Sequence, residues 1–202
     1  PNQSLLKKEH EGLIKILNKH CLDTVSIPFN GGLEKNKKYD FVFMRDHFLC
    51  NTRKEIVMCN MKLFERMNEG KFTISALENL NYKISHLDED CVAEGGEFFY
   101  LSKENILLAG QNRNNLKGAE QMAEKLNVSN LFIINSSGYH LDTSIAPLFN
   151  SEYDCIGIIC AKEVFNRNEF KNLKNICDKN HWDVIEVEHQ NIQKSISFRT
   201  AM

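Results

Sequence analysis

Short apolar segments alternate along the chain with longer segments in which apolar residues recur every three or four positions. The short runs are typical of β-strands and the longer pattern of amphipathic helices. Predicted helices cover residues 5–19, part of 71–80, 116–126 and 168–178. Predicted strands cover residues 23–28, 39–44, 55–60, 82–86, 98–101, 106–109, 131–134, 144–148, 155–160 and 182–187, and Gly31 and Gly32 predict a turn.

These elements follow one another in a repeating order. Two strands, a helix and a further strand occur over residues 98–134 and again over 144–187. Asp46, Glu94 and His140 lie near the first strand of successive units and are 48 and 46 positions apart. A period of about 47 residues with mixed elements fits neither an all-helical solenoid nor a four-stranded propeller blade. The pattern predicts an α+β fold of strand–strand–helix–strand units, with the strands inside and the helices outside.

About four such units fit into the 202 residues, and we predict that residues 1–202 form a single domain. Residues 195–202 look like the opening strand of a further unit that is not completed. A terminal apolar strand without a partner is an aggregation hazard. The sequence therefore predicts an incomplete domain.

Composition and charge exclude several classes of protein. Lys and Arg number 25 against 27 Asp and Glu, so the net charge of −2 provides no basic field for nucleic acid. The apolar runs are too short to cross a bilayer, and the first residues contain no signal-peptide core. We therefore expect a cytoplasmic protein without a membrane partner, in which the seven cysteines are free thiols. Because no Cys-x-x-Cys pair occurs, no metal site is predicted.

Four polar clusters at strand edges are candidates for chemistry. Asp40 precedes an apolar run and Asp46 follows it, although Arg45 and Asp46 could equally form a solvated ion pair. Glu94 stands before Gly95 and Gly96. Because two glycines permit a positive φ or a close backbone approach, Glu94 could point into a central space. The alternative is an ordinary turn with a solvated glutamate.

The other two clusters surround His140 and Arg113. In an extended segment His140 and Asp142 project from the same face, and a carboxylate can raise the pKa of a histidine used in proton transfer. Arg113 lies in a polar loop before a helix and could bind a carboxylate through two parallel hydrogen bonds. The alternative is a helix-capping loop, with Asn114 or Asn115 as the N-cap.

Repetition brings equivalent strand ends together if the units close around an axis. Asp46, Glu94, His140 and Asp142 would then meet in one central pocket. Three carboxylates around one histidine suit a planar guanidinium or amidinium better than a metal ion, which more often has further His or Cys ligands.

Four motifs in this order resemble the guanidino-group-modifying superfamily, which includes arginine deiminase, dimethylarginine dimethylaminohydrolase and the amidinotransferases. They are Phe43-Met44-Arg45-Asp46, Glu94-Gly95-Gly96, Asn112-Arg113-Asn114-Asn115 and His140-Leu141-Asp142-Thr143. The resemblance covers nearly the whole chain and implies a five-unit αβ propeller whose last unit is missing here. It also implies a small guanidino substrate, no cofactor, and allows a homo-oligomer.

The resemblance further implies a role for each candidate residue. Asp46 and Asp142 resemble the carboxylates that hold the guanidinium, with Asp40 in support. Glu94 is similar to the residue that binds a guanidinium nitrogen and assists proton transfer, and His140 to the general acid–base. Arg113 stands where an arginine binds the substrate carboxylate.

Two departures from the superfamily pattern are visible. Glu97 stands where the superfamily usually has aspartate. The nucleophilic cysteine of the superfamily follows a glycine-rich loop in the fifth unit, and none of the seven cysteines here has such a loop before it. The implied activity is hydrolysis of a guanidino C–N bond through a cysteine thiouronium, of the dimethylargininase or arginine deiminase type, with the cysteine beyond this chain. An amidinotransferase and a non-catalytic relative remain alternatives.

Overall fold

The computed structural model describes residues 2–188. The chain divides into two compact units, residues 1–31 and 32–202, and each is described by itself. None of the described helices is long and apolar enough to span a membrane.

The first unit consists of one helix and an irregular segment. Helix α1 covers Gln3–Lys19, and the Asn2 side chain caps it by accepting a hydrogen bond from the Leu5 N–H at 3.2 Å. The strand predicted at 23–28 is wrong, because residues 22–30 have no regular secondary structure. An apolar run becomes a strand only where another strand pairs with its backbone groups, and the described part of this unit contains none.

The second unit contains three repeats of the predicted strand–strand–helix–strand order. The first comprises β1 (Phe48–Cys50), β2 (Glu55–Met58), α3 (Ile74–Asn79) and β3 (Lys83–His86). The second comprises β4 (Phe98–Leu101), β5 (Ile106–Ala109), α4 (Leu116–Leu126) and β6 (Asn130–Ile133). The third comprises β7 (Ile145–Phe149), β8 (Cys155–Ala161), α5 (Arg167–Asn180) and β9 (Asp183–Val187). A short helix, α2 (Gly31–Lys35), stands where the glycine pair predicted a turn.

Each repeat forms its own three-stranded sheet with the same topology. The first two strands pair antiparallel, and the third strand pairs parallel to the second after the helix. Parallel pairing requires a crossover, and the helix supplies it in every repeat. The mixed α+β fold predicted from the sequence is therefore confirmed, with three small sheets over the described residues.

The middle strands contribute to the core on both faces. Along β5, Leu107 and Ala109 pack into a cluster with α4, whereas Ile106 and Leu108 pack into a second cluster with β8 and α5. This alternation is the two-residue period of a strand, and because both faces are covered, every residue of β5 is apolar and buried. The hydrophobic core thus runs from one repeat into the next.

The segment 39–46 differs from the predicted strand. It forms two 3₁₀ turns, Tyr39–Val42 and Met44–Asp46, in which Phe41 and Asp46 are the buried residues. The physical reason is the ion pair that Asp46 makes inside the protein, which requires the chain to turn inward. The strand predicted at 195–202 lies outside the described residues.

Candidate active site

Three turns from successive repeats bring Asp46, Glu94 and His140 together. Asp46 ends the 3₁₀ turn before β1, Glu94 precedes the turn Gly95–Glu97 before β4, and His140 precedes the turn Leu141–Thr143 before β7. One polar atom from each of the three lies within 4.8 Å of the others, and all three residues are buried. The predicted convergence of equivalent strand ends is therefore observed for these residues.

His140 and Glu94 form the closest pair of this cluster. The Nε2 of His140 lies 2.7 Å from Oε2 of Glu94. Burial lowers the pKa of His140, but the hydrogen bond to Glu94 and the charges of Asp46, Glu94 and Asp142 outweigh it, so the pKa is raised. For Glu94, burial raises the pKa, and hydrogen bonds from His140 and the Lys62 N–H outweigh that effect and lower it. Both shifts favour a protonated imidazole next to a carboxylate.

Glu94 is held at both its side chain and its backbone. Its Oε1 accepts a hydrogen bond from the backbone N–H of Lys62 at 2.9 Å, and its own N–H donates to Oδ1 of Asn114 at 2.9 Å. The side chain is fully buried. The prediction that Glu94 points into a central space agrees with this geometry, and the solvated turn does not.

Asp46 accepts hydrogen bonds at both of its carboxylate oxygens. The Gly96 N–H donates to Oδ1 at 3.0 Å, and Nη1 of Arg66 donates to Oδ2 at 2.7 Å. Nδ1 of His140 lies 3.9 Å from Oδ1. Because a carboxylate has about four acceptor sites, Asp46 retains capacity for a further N–H donor.

The two glycines after Glu94 permit close approach of backbone and side chains. A Cβ on Gly96 would lie 2.6 Å from Nδ1 of His140 and 2.9 Å from Oδ1 of Asp46. A Cβ on Gly95 would lie 1.9 Å from the carbonyl oxygen of Arg45. Neither glycine has a positive φ. Of the two reasons for a glycine pair considered above, close approach is the one that applies.

Arg66 and Glu69 form a buried layer behind Asp46 that the sequence analysis missed. Arg66 also donates through Nε to Oε2 of Glu69 at 3.0 Å, and Nε2 of His47 lies 3.4 Å from the same oxygen. Arg66, Glu69 and His47 are all buried. The only sequence signal is an arginine and a glutamate three positions apart in a segment without apolar periodicity. Such a spacing is common on protein surfaces and would not have indicated a buried group.

Asp142 is paired with Arg45. The Nε of Arg45 donates to Oδ2 of Asp142 at 2.8 Å, and Nη2 donates to the carbonyl oxygen of Phe98 at 2.8 Å. The Asp142 side chain is 22% exposed. His140 and Asp142 do not share one strand face, because a 3₁₀ turn begins at Leu141. The carboxylate of Asp142 still helps to raise the pKa of His140.

Arg113 and Asp40 lie at the margin of the cluster. The guanidinium carbon of Arg113 lies 4.1 Å from the centre of the Tyr139 ring, and its charge helps to lower the pKa of Glu94. Asp40 is an exposed residue of the turn Tyr39–Val42, and its backbone carbonyl accepts a hydrogen bond from Nη2 of Arg66 at 3.4 Å. Asp40 is thus connected to the buried layer through its backbone, and a role for its carboxylate stays a prediction.

Six of the seven cysteines have a pKa that burial raises above its ordinary value. All seven lie within the described residues and are free. Burial raises the pKa of Cys155 and Cys160 to about 11 and that of Cys177 to about 12. Cys59 is electrostatically coupled to the cluster, but burial and the charges of Asp46 and Glu94 raise its pKa as well. A catalytic thiol needs a lowered pKa, so these shifts disfavour a thiolate.

The donor set of the cluster suits a cation that carries N–H groups. Asp46, Glu94 and His140 could hold a metal ion by distance alone. However, the oxygens of both carboxylates already accept hydrogen bonds, and the Arg66 guanidinium is bound to Asp46. Because a carboxylate can accept about four hydrogen bonds, the same oxygens can also accept the N–H groups of a further guanidinium.

Comparisons with known proteins identify the family of this chain. The family described as N,N dimethylarginine dimethylhydrolase, eukaryotic, matches residues 2–198. The chain is therefore a member of the guanidino-group-modifying superfamily. Within it, the chain belongs to the eukaryotic N,N-dimethylarginine dimethylhydrolase family. A search of the curated proteins found no match.

Solved structures show the same fold at low sequence identity. The N-terminal domain of ArgZ bound to product, an arginine dihydrolase from the ornithine–ammonia cycle in cyanobacteria, is 19% identical with a TM-score of 0.72, over 91% of this chain and 64% of that one. AgrE with ornithine and NAD⁺ is 20% identical with a TM-score of 0.76, over 95% of this chain and 27% of that one. A dimethylarginine dimethylaminohydrolase adduct with S-methyl-L-thiocitrulline is 18% identical with a TM-score of 0.69, over 94% and 68%. The chain spans 64% of the ArgZ domain, so it is similar to part of that protein.

Proposed function

We propose that this chain forms the guanidinium-binding and proton-transfer part of a C–N hydrolase acting on a methylated arginine. The observation that carries the proposal is the convergence of Asp46, Glu94 and His140 in one buried cluster. Membership in the dimethylarginine dimethylhydrolase family supports a methylated arginine over arginine itself as the substrate.

Each group has a defined chemical task in this proposal. Asp46 and Asp142 bind the guanidinium and offset its charge, as preorganised groups do in electrostatic catalysis. His140, whose pKa is raised, carries the proton that the leaving amine needs, and Glu94 orients its ring. Arg113, whose guanidinium lies over the Tyr139 ring, binds the carboxylate of the amino acid.

The reaction proceeds in two steps. A cysteine thiolate attacks the guanidinium carbon, His140 protonates the amine, and the C–N bond to that amine breaks to leave a thiouronium. Water, deprotonated by His140, then attacks the same carbon, and the thiolate leaves to give the ureido product. The raised pKa values of this chain's thiols support a nucleophile outside these 202 residues. The five-unit propeller, a homo-oligomer and a cytoplasmic location stay predictions.

Ligand binding by the 202-residue chain tests the proposal without turnover. Calorimetry should show that Nω,Nω-dimethyl-L-arginine and L-arginine bind more tightly than L-citrulline, whose ureido group has no charge to pair with the carboxylates. Tighter binding of the dimethylated ligand would support the dimethylarginine substrate. Absence of binding by both cationic ligands would contradict the proposal.

A matched pair of variants locates the binding site. Asp142→Asn and Asp154→Asn each remove one carboxylate that makes an ion-pair contact of 2.8 Å, to Arg45 and to Lys103 respectively. We expect Asp142→Asn to weaken binding about tenfold, because a hydrogen bond to a charged group contributes about 1.5–3 kcal/mol. Asp154→Asn should leave binding unchanged. Equal effects would show that Asp142 does not contact the ligand.

Mass spectrometry tests the position of the nucleophile. The 202-residue chain incubated with dimethylarginine should show no adduct mass and no dimethylamine release, because burial raises the pKa of six of its seven thiols. A stable adduct on any of its cysteines would overturn this part of the proposal.

A further inference from the structure

The carboxylate of Glu97 connects the loop that carries Arg113 to the turn that follows His140. Its Oε1 accepts a hydrogen bond from the Arg113 N–H at 2.5 Å, and its Oε2 accepts one from the Leu141 N–H at 2.9 Å. Glu97 is fully buried, so the loss of either donor would leave a buried carboxylate oxygen without its partner. One side chain therefore holds the backbone of two residues from different repeats.

Gly110 provides the space that this carboxylate occupies. A Cβ on Gly110 would lie 1.9 Å from Oε2 of Glu97 and 3.1 Å from Cβ of Leu141. The Gly110 N–H also donates to the backbone carbonyl of Glu97 at 2.8 Å, so the two residues are fixed side by side. The glutamate is one methylene longer than the aspartate usual in the superfamily, and the bare backbone at residue 110 accommodates the added length.

The two carboxylate oxygens of Glu97 match the donors that face them. Burial raises the pKa of Glu97 above its ordinary value, and the opposing effects of the Arg113 and Leu141 N–H groups and of the His140 charge do not reverse this shift. Both oxygens face N–H donors, an arrangement that the ionised carboxylate satisfies fully and an amide satisfies at only one of its two atoms.

We propose that Glu97 is a positioning residue that fixes the distance between His140 and Arg113. In this way Glu97 keeps the proton-transfer group His140 at a fixed distance from Arg113, which binds the substrate carboxylate. Glu97 acts through backbone contacts and does not touch the reacting atoms. The proposal rests on the proposed function for the roles of His140 and Arg113.

Three variants of the 202-residue chain separate positioning from a purely structural role. Glu97→Gln keeps the size of the side chain and replaces one acceptor by a donor. Glu104→Gln is the matched control, because Oε1 of Glu104 accepts a hydrogen bond from the Cys155 N–H at 2.7 Å in the turn that joins β4 and β5, at the far end of β4 from Glu97. Glu97→Asp keeps the charge and shortens the side chain.

Two readouts are measured for each variant, the affinity for L-arginine by calorimetry and the titration of the His140 ring by NMR. We expect Glu97→Gln to weaken the binding of L-arginine about tenfold, because Arg113 and His140 are then no longer held at the separation that the ligand requires, and to lower the pKa of His140 toward its ordinary value. Glu104→Gln should change neither, even if both variants melt earlier. Unchanged affinity and unchanged His140 titration in Glu97→Gln would overturn the proposal.

The two arms also distinguish this inference from the proposed function. If the unaltered chain binds no guanidino ligand, the proposed function fails, while the His140 titration still decides whether Glu97 positions that residue. Conversely, if the unaltered chain binds L-arginine and Glu97→Gln changes neither the affinity nor the His140 titration, the proposed function stands and the positioning role is rejected.

A double mutant tests the fit between Glu97 and Gly110 directly. Gly110→Ala alone should weaken the binding of L-arginine, because the new methyl group collides with Oε2 of Glu97. In Glu97→Asp/Gly110→Ala the shorter aspartate side chain no longer reaches the methyl group. We therefore expect the double mutant to bind L-arginine about threefold or more tightly than Gly110→Ala does, a coupling typical of residues in contact. Simple addition of the two single losses would contradict the proposed fit.

Discussion

Replacement of Arg66 by methionine should destabilise the protein strongly. Arg66 is 3% exposed and bridges two buried carboxylates, those of Asp46 at 2.7 Å and Glu69 at 3.0 Å. Methionine fills a similar volume but leaves both carboxylates without a counter-charge. Removing one partner of a buried ion pair costs about 3–5 kcal/mol. Against a total stability of about 5–15 kcal/mol, this loss is a large fraction.

A surface pair of the same chemistry provides the control. Arg53 contacts Glu55 at 2.8 Å, but its side chain is 53% exposed. Arg53→Met should therefore cost at most about 1 kcal/mol, as exposed ion pairs do. Both variants replace an arginine by methionine, but Arg66 is buried between two carboxylates whereas Arg53 pairs with one carboxylate at the surface.

Urea denaturation followed by circular dichroism measures both losses. If Arg66→Met does not fold, Arg66→Lys retains the charge without the planar fork, and its loss should lie between the other two. A loss below about 1 kcal/mol, equal to that of Arg53→Met, would refute the buried layer behind Asp46.

Three further outcomes follow from the same contacts. Gly96→Ala should lower the free energy of unfolding by about 1–3 kcal/mol in urea denaturation and weaken the binding of L-arginine in calorimetry. The reason is that its Cβ would lie 2.6 Å from Nδ1 of His140. A variant with unchanged stability and affinity would contradict this close approach. The raised pKa of His140 means that its stabilising contribution is complete below the unfolded-state pKa and is lost as the pH rises through the folded-state pKa. As the pH rises through this range, the denaturation midpoint should therefore fall in the unaltered chain and fall less in His140→Gln. An identical dependence of the midpoint on pH in both proteins would count against the raised pKa. Asn166→Ala should cost about 0.5–2 kcal/mol in thermal unfolding, because Asn166 and Glu169 form a capping box at the start of α5; a loss of a few tenths would argue against the cap.

Apolar periodicity predicted the strands and helices whose bounds follow from the pattern of apolar residues within them. The apolar run of β5 and the helical spacing of α4 were placed at their observed bounds, 106–109 and 116–126. Both elements bury their apolar residues against neighbouring repeats, which leaves a periodic record in the sequence. The repeat order itself was predicted for the same reason.

Ion pairs between residues far apart in the chain leave no periodic pattern in the sequence. Residues 39–46 turn inward because Asp46 binds Arg66, 20 positions away, and no local pattern reveals that partner. Likewise Arg45, expected beside Asp46, reaches Asp142, 97 positions away. Periodicity reports which face of an element is buried, whereas the choice of a charged partner depends on the assembled fold. The convergence of Asp46, Glu94 and His140 was predicted because it follows from repetition alone.

Those three residues all lie just before the first strands of three repeats, but Asp46 ends its 3₁₀ turn whereas Glu94 and His140 precede theirs. The repeats therefore share an order of elements, while the position and the chemistry of the functional residue differ from one repeat to the next. A substrate with a cationic end, a leaving amine and a carboxylate is itself asymmetric. A scaffold built by repetition can therefore recognise such a molecule in one orientation, because each copy of the turn has acquired a different side chain.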